Sequence, residues 1–277
     1  MTDNLSGHES NRDAWILEAC EDEIVTLTFN DQAHLNAMTQ PMGEAFRDCI
    51  QRLKDDAAVR AVVITGSGSA FSAGGDLDMI EGLAQQARRG DARASIQAFM
   101  RSFYELFLSL RTLPVPTLAA INGHAIGAGL GVALACDIRY VAREAKLGLN
   151  FTKLGLHPGM GVSWTLPRLI GPSLAAELLY TSRTVTGEEA AALGLASRYL
   201  PAAEVLPATL KVAREIASCS PVAVRSLKKG LAHSPEVDLA AQLDFESSEQ
   251  ATCFESEDML EGLAAALERR TPEFEGR

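Results

Sequence analysis

Two glycine-rich loops, each lying between an apolar strand and a helix, constrain the fold of this 277-residue chain more than any other feature. The first loop, residues 66–75, follows the apolar segment 61–64, and a helix opens at Asp76. The second loop, residues 122–131, follows the apolar segment 117–121 and overlaps the start of a helix at 127–135. A strand-loop-helix unit that occurs twice is typical of α/β folds, so we predict an α/β protein.

Hydrophobic periodicity places further elements around these two units. Alternation predicts a strand at 24–29, a second apolar run predicts a strand at 138–142, and helical spacing predicts helices at 42–53 and 92–110. Helices dominate beyond Gly161, with starts predicted at Pro172, Thr186 and Pro221. The amphipathic segments 204–218, 222–232, 237–253 and 256–270 predict a C-terminal helical subdomain at 201–277, a core at 14–200 and a polar, flexible tail at 1–13.

Charge and hydropathy exclude several classes of partner. The formal net charge of -11 opposes binding to nucleic acid or to anionic lipid. The uncharged stretch between Arg111 and Asp137 is long enough to cross a bilayer, but its two prolines and its Asn-Gly turn would leave backbone groups unpaired in lipid. We therefore predict no membrane span.

The cysteine pattern and the N-terminus predict a reduced compartment. Five widely spaced cysteines form no C-x-x-C pair, which argues against a disulfide framework and against a zinc site. We expect all five to be buried free thiols. Residues 1–13 lack a basic start followed by an apolar run, so no secretory signal is predicted, and we expect a cytoplasmic protein.

The composition of the two loops suggests close approach of the backbone to another group. The first loop is not a nucleotide-binding loop, because G-x-G-x-x-G would require glycine at Phe71 and no Lys-Ser or Lys-Thr pair is present. Free N–H groups at a helix start attract negative charge, so two such loops that face each other could form an oxyanion hole. Tight packing of the helix on the sheet would use the same small residues and is the alternative.

The motifs in the two loops resemble those of one family. Residues 71–77, FSAGGDL, resemble the crotonase signature F-x-A-G-x-D-[LI], and residues 120–129, AINGHAIGAG, resemble [AV]-x-N-G-x-[AC]-x-G-[GA]-G. Further matches lie at 154–159 and 257–262, and the resemblance covers nearly the whole chain after residue 13. The chain is thus identified as similar to the crotonase (enoyl-CoA hydratase/isomerase) superfamily. The resemblance implies a crotonase-like ββα spiral core that binds acyl-CoA, with C-terminal helices that assemble a homotrimer or hexamer.

The resemblance also implies roles for particular residues. The oxyanion donors correspond to the backbone N–H groups of Gly75 and Ala128. The coenzyme A moiety would contact residues on both sides of the first loop: Ala33, His34, Leu35, Ala73, Asp76 and Leu77. Candidate partners for its phosphates are Lys228, Lys229 and Arg270, for which solvated surface charge is the alternative.

Three positions depart from the family pattern. Relatives that hydrate enoyl-CoA carry glutamates where this chain has Gly131 and Phe151, and dienoyl-type relatives carry an aspartate near Gly159. Hydration needs groups that activate water and protonate the α-carbon, and neither glycine nor phenylalanine can move a proton. The resemblance therefore favours an apolar acyl pocket and argues against two-glutamate hydration.

Other titratable residues near these positions are candidate substitutes for the missing acids. His157, in the turn that precedes Gly159, is the candidate proton donor, with a structural turn histidine as the alternative. His124 is expected to be buried beside the second loop. Asp78 and Glu81 are expected on a solvated helix face, with access to the pocket as the alternative.

The sequence thus leaves three hypotheses for function. The first is an enzyme of the enoyl-CoA hydratase/isomerase family that acts through a thioester enolate in an atypical site. The second is decarboxylation of a malonyl-type acyl-CoA, in which loss of CO₂ generates the enolate without a base. The third is a non-catalytic acyl-CoA-binding or regulatory protein. None of them calls for a metal or for a cofactor beyond the coenzyme A of the substrate.

Overall fold

The computed structural model describes residues 14–277, and the predicted N-terminal tail lies outside the described residues. The strands are β1 (Ile16–Glu21), β2 (Ile24–Phe29), β3 (Ala61–Gly66), β4 (Ala70–Ser72), β5 (Thr117–Ile121), β6 (His124–Ile126), β7 (Ile138–Ala142), β8 (Lys146–Gly148), β9 (Thr184–Thr186) and β10 (Arg198–Leu200). The α-helices are α1 (Gln40–Asp55), α2 (Leu77–Arg88), α3 (Arg93–Leu108), α4 (Ala128–Ala135), α5 (Val162–Ile170), α6 (Pro172–Thr181), α7 (Gly187–Ala192), α8 (Ala202–Ala217), α9 (Pro221–His233), α10 (Leu239–Phe254) and α11 (Glu257–Glu268).

Two sheets organise the core. The larger has the strand order β1-β2-β3-β5-β7-β10, in which β1 and β2 are antiparallel and the remaining pairs are parallel. The smaller has the order β4-β6-β8-β9. Every residue of β3 and β5 is buried, as expected for parallel strands covered on both faces. Because β3 and β5 are neighbours, the two glycine-rich loops leave the sheet at the same edge.

The helices around the larger sheet bury their apolar faces against it. Helix α1 begins with Thr39 as its cap and contributes Phe46, whose ring centroid lies 5.4 Å from that of Phe29 and 6.1 Å from that of Phe107 on α3. Helix α8 packs on β3, β5 and β7 through buried residues that include Val205 and Ala213. These contacts fix the position of the larger sheet, from which the two glycine-rich loops extend.

The longer predicted elements agree closely with the structure. The strands predicted at 24–29, 117–121 and 138–142 coincide with β2, β5 and β7, and the predicted α/β class is confirmed. Asp76 caps α2 through a carboxylate that accepts from the Met79 N–H at 2.8 Å. The strands of the smaller sheet and β1 were not predicted. Those of the smaller sheet are three residues long, too short to show a period.

The prediction that all five cysteines are buried is wrong. All are free thiols, but Cys20 and Cys219 are exposed and Cys253 is half-buried, whereas Cys49 and Cys136 are buried. The error has a physical cause, since Cys20 lies on the edge strand β1 and Cys219 follows the end of α8, where apolar residues need not be covered. Within residues 14–277, no helix has the length and hydropathy needed to cross a membrane.

Candidate active site

Asn36 fixes the shape of the first loop from a neighbouring segment. This residue is fully buried with a left-handed backbone (φ 56°), and its Nδ2 donates to the carbonyls of Ser67 and Ala70 at 2.9 Å. In return, Ser72 Oγ donates to the Asn36 carbonyl at 2.7 Å and accepts from the Gly74 N–H at 3.1 Å. The loop is therefore held by buried hydrogen bonds rather than left to solvent.

Asn122 holds the second loop against the first. Its Oδ1 accepts from the Gly66 N–H at 3.1 Å, and its Nδ2 donates to the Gly68 carbonyl at 3.1 Å. The next residue, Gly123, leaves no room for a side chain, because an added Cβ would lie 2.0 Å from the Ser69 carbonyl oxygen. Asn122 and Gly123 thus hold the two loops in contact.

The two loops also approach each other at Gly74 and at the start of α4. Gly74 adopts φ +94°, and a Cβ there would lie 2.5 Å from the Ile126 carbonyl oxygen and 3.4 Å from the Ala128 nitrogen. Only glycine combines this backbone with that contact. The peptide between Gly74 and Gly75 therefore lies beside the first N–H of α4.

The N–H groups of Gly75 and Ala128 make no hydrogen bond within residues 14–277. An isolated bridge joins Gly75 to Met38, but its bonds run from Met38 N to the Gly74 carbonyl (2.7 Å) and from Asp76 N to the Met38 carbonyl (3.2 Å). Successive N–H groups of an extended segment point to opposite sides, so the bridge leaves that of Gly75 free. Ala128 is the first residue of α4, where an N–H lacks an intrahelical partner and carries partial positive charge.

Tight packing explains some of the small residues but not these donors. A Cβ on Gly129 would lie 2.6 Å from the Ser72 Cβ, so the close approach of the loop to α4 accounts for this glycine. It does not account for the N–H groups of Gly75 and Ala128, which lack a partner in the part of the chain that the structure describes. Tight packing thus accounts for Gly129, and the oxyanion-hole interpretation of the Gly75 and Ala128 N–H groups stays a prediction.

Apolar side chains lie at or beside the two positions that were expected to hold glutamates. A Cβ on Gly131 would lie 2.6 Å from the Met160 Cβ and 3.3 Å from a Val162 methyl, so that space is already filled. Phe151 is half-buried, and its Cζ lies 3.9 Å from the Cβ position of Gly127. Met160, Val162 and Phe151 thus present hydrocarbon here, and a polar atom, Asn150 Oδ1, lies 3.3 Å from the same Gly127 Cβ position.

The two candidate histidines lie in different environments. His157 is exposed, and its Nδ1 lies 2.8 Å from the Pro158 carbonyl oxygen, so this nitrogen is the donor. The expectation that His124 is buried is wrong. It is exposed, because it lies on the short strand β6 with its side chain directed outward, and its Nδ1 accepts from the Lys146 N–H at 2.9 Å.

The remaining charged candidates are engaged or solvated. Asp78 and Glu81 are exposed on α2. Lys228 Nζ is directed inward, donating to the Val115 carbonyl at 2.7 Å and to the Asp137 carboxylate at 3.0 Å. Lys229 is exposed with its Nζ 3.8 Å from Glu249, and Arg270 pairs with Glu261 and Glu268.

The segment predicted to bind coenzyme A borders the first loop. The Ala73 N–H donates to the Leu35 carbonyl at 2.9 Å, which joins this segment to the loop. Five of its predicted members are exposed and Asp76 is half-buried, which leaves a surface beside the loop that a ligand can reach; the exposed members are Ala33, His34, Leu35, Ala73 and Leu77.

Sequence reasoning missed three residues around this site. Ser72 lies inside the first family motif and Asn36 directly follows the segment predicted to contact coenzyme A, but their buried hydrogen bonds follow only from the folded chain. Tyr104 lies on α3, remote in sequence from both loops, and its Oη would be 2.6 Å from a Cβ on Gly159. No sequence signal distinguishes Tyr104 from any other amphipathic helix residue.

The fold and the paired loops define an α/β protein of the crotonase type. Residues 19–277 match the enoyl-CoA hydratase/isomerase family model, and the chain belongs to this family.

Individual relatives from bacteria and animals support this family assignment. The chain is 33% identical over 256 residues to a crotonyl-CoA hydratase of Syntrophomonas wolfei, covering 92% of this chain and 95% of that protein. It is 37% identical over 258 residues to the mitochondrial methylglutaconyl-CoA hydratase of Mus musculus, covering 91% and 80%. A crystal structure of an enoyl-CoA hydratase from Bacillus anthracis superposes with a TM-score of 0.87 at 34% identity, covering 95% of this chain and all of that one.

Proposed function

We propose that this protein binds an acyl-CoA thioester and stabilises its enolate with the backbone N–H groups of Gly75 and Ala128. The supporting observation is that both donors are unpaired within residues 14–277 and lie on loops that Asn122 clamps together. A preorganised donor of this kind contributes about 3 to 4 kcal/mol to transition-state stabilisation, because it needs no reorganisation as charge develops.

The coenzyme A moiety lies, in this proposal, along the exposed surface beside the first loop. Its adenine contacts the backbone of the segment that Leu35 joins to Ala73, and the thioester enters between the loops. The binding residues are those predicted from the resemblance: Ala33, His34, Leu35, Ala73, Asp76 and Leu77.

The chemistry proposed differs from two-carboxylate hydration. Gly131 and Phe151 offer no proton, and Met160 fills the space beside Gly131. The relatives named as hydratases therefore support acyl-CoA as the ligand class more strongly than they support hydration as the reaction. The apolar surroundings suit an acyl chain and an enolate formed without a carboxylate base.

Replacement of Ala128 by proline tests the oxyanion donor directly. Proline removes the N–H but is favoured at the first position of a helix, so α4 should persist. Glu257→Pro is the matched control, because Glu257 is the exposed first residue of α11.

The measurements are thermal unfolding with and without CoA, acetyl-CoA and crotonyl-CoA, together with product analysis on a panel of enoyl- and malonyl-type esters. We expect the wild-type protein and Glu257→Pro to be stabilised by the esters through ligand linkage. Ala128→Pro should bind free CoA equally and lose about 10²- to 10³-fold in turnover. Absence of stabilisation by every ester would contradict the proposal, and binding without turnover of any ester would favour the non-catalytic binder.

A further inference from the structure

The side chain of Asn150 places a carboxamide beside the start of α4. Its Oδ1 lies 3.3 Å from the Cβ position of Gly127, the residue that precedes Ala128, and the Phe151 Cζ lies 3.9 Å from the same position. Three covalent bonds separate that Cβ position from the Ala128 nitrogen, so the Asn150 oxygen is no more than about 8 Å from this nitrogen. The carboxamide therefore borders the proposed oxyanion site.

The smaller sheet fixes the position of Asn150. Strands β6 and β8 pair in parallel, and directly beyond them the Gly127 N–H donates to the Gly148 carbonyl at 2.7 Å. Asn150 follows Gly148 by two residues. A side chain placed so close to paired strands keeps its geometry when a ligand binds, which is what a selective contact requires.

No structural role accounts for this carboxamide. Asparagine side chains in turns commonly bond the local backbone. Among residues 14–277, however, the Asn150 side chain makes no hydrogen bond, and the short 3-10 turn Thr152–Leu154 that follows it has no side-chain cap. Asn150 is half-buried, and a covered amide without a partner costs free energy. Its position is explained if a ligand supplies the partner.

The chemistry of the carboxamide limits what that ligand can present. The group is neutral, its oxygen accepts hydrogen bonds and its NH₂ donates them. It therefore matches a hydroxyl group, which also does both. A carboxylate would use only the NH₂ and would lose solvation beside the Phe151 ring. Because a carboxamide does not exchange protons at neutral pH, its effect is on binding and orientation.

We propose that Asn150 determines specificity by hydrogen-bonding a neutral oxygen substituent on the α- or β-carbon of the acyl group. This inference rests on the proposed function, since the substituent reaches Asn150 only if the thioester oxygen lies at the N–H groups of Gly75 and Ala128. The preferred ligand is then an oxygenated acyl-CoA rather than a purely hydrocarbon one. Asn150 acts as a positioning residue in this arrangement and not as a proton donor.

Isothermal titration calorimetry with matched esters tests this role. Butyryl-CoA and the stereoisomers of 2- and 3-hydroxybutyryl-CoA have the same carrier and chain length and differ by one hydroxyl group. The wild-type protein should bind at least one hydroxy ester about 3- to 10-fold more tightly than butyryl-CoA, as one net hydrogen bond predicts. Asn150→Leu should abolish or reverse this preference and should bind butyryl-CoA at least as tightly as wild type. Chromatography of the recovered ester checks that it stays intact during the titration.

A matched control and a stability measurement separate specificity from structural damage. Gln51→Leu makes the same change from a carboxamide to an apolar side chain on the exposed side of α1, and it should keep the wild-type preference. The Tm of unliganded Asn150→Leu should equal or exceed that of wild type, because an unpaired amide adds no stability. A lower Tm together with an unchanged ester preference would identify a structural asparagine.

Two further results would overturn the inference. One is equal affinity of the wild-type protein for butyryl-CoA and every hydroxy ester, and the other is a hydroxy-ester preference that persists in Asn150→Leu. Both leave the acyl-CoA site standing, because butyryl-CoA still binds. Failure of the wild-type protein to bind any CoA ester would instead overturn the proposed function itself.

Discussion

Helices α1 and α10 have the same length but differ in how much of their apolar surface the rest of the chain buries. Each has 16 residues, yet α1 buries a full apolar face whereas α10 has no buried residue. Leu239, Leu243 and Phe254 of α10 are 74%, 55% and 63% exposed. Tertiary packing supplies most of the stability of a protein helix. Helix α1 obtains it in the core, whereas α10 packs on α9, where the Phe245 ring stacks on His233 at 4.8 Å, and leaves its other leucine and phenylalanine residues exposed.

The neighbouring helices extend this contrast. Leu227 and Leu231 of α9 are 62% and 66% exposed, and Leu263 and Leu267 of α11 are 51% and 77% exposed. One continuous surface is lined by Leu227, Leu231, Leu243 and Phe254. An exposed apolar surface of this kind marks an interaction site. The family resemblance implies that other copies of this chain cover it, in a homotrimer or hexamer, and that assembly stays a prediction.

Truncation of a core phenylalanine should have the largest effect on stability. Phe107 is fully buried between Phe46 and Phe103, and Phe107→Ala should lower the free energy of unfolding by about 3 to 5 kcal/mol through lost burial and a cavity. Phe254→Ala, on exposed α10, is the matched comparison. Urea unfolding at two protein concentrations should show that Phe254→Ala lowers the free energy of unfolding by an amount that depends on protein concentration. If both variants lost the same free energy at both concentrations, the two regions would not differ.

Charges on the exposed face of α9 should change the assembly without unfolding the core. The double variant Leu227→Asp, Leu231→Asp would bury two carboxylates if this face lies between subunits, which is strongly unfavourable. Light scattering should show a smaller mass, with the far-ultraviolet circular dichroism retained. Gln51→Asp, on the exposed side of α1, should leave the mass unchanged. A single-chain mass for the wild-type protein would contradict the predicted assembly.

Thiol reactivity should differ between the two regions. Burial, the largest cause, raises the pKa of Cys136 to about 12, with a further contribution from Asp137. At pH 8 its thiolate fraction is therefore about 10⁻⁴, and alkylation should require unfolding, whereas exposed Cys219 should react in the native protein. Mass spectrometry after timed alkylation measures both sites. Equal native rates at Cys136 and Cys219 would show that the core opens readily.

The smallest expected effect concerns the end of α11. Hydrogen bonds from Arg270 and from the Glu273 N–H lower the pKa of Glu261 from 4.5 to about 2. A folded-state pKa below the unfolded value stabilises the fold above pH 4.5, and this stabilisation is lost as the pH falls toward 2. Glu261→Gln should therefore lower Tm slightly at pH 7, and the difference from wild type should shrink on acidification. A difference that is constant from pH 7 to pH 3 would contradict this linkage.

The fold could be predicted from the sequence where a single element is long enough to show its own hydrophobic pattern. Strands β2, β5 and β7 show an apolar run or alternation over five or six residues, and their predicted bounds coincide with the observed ones. The strands of the smaller sheet have three residues each, so their pairing depends on partners distant in sequence. The exposure of His124 and Cys219 was mispredicted for a related reason, since residue type alone does not specify which face a short or terminal segment presents.

The family, the order of the long elements and the two glycine-rich loops could all be inferred from the amino-acid sequence alone. Three features required the folded chain: the N–H groups of Gly75 and Ala128 have no partner among residues 14–277, Met160 fills the space beside Gly131, and Tyr104 from α3 faces Gly159. The physical reason is that local periodicity and turn chemistry are written in adjacent residues. Hydrogen-bond satisfaction and occupied volume depend instead on atoms that only folding brings together.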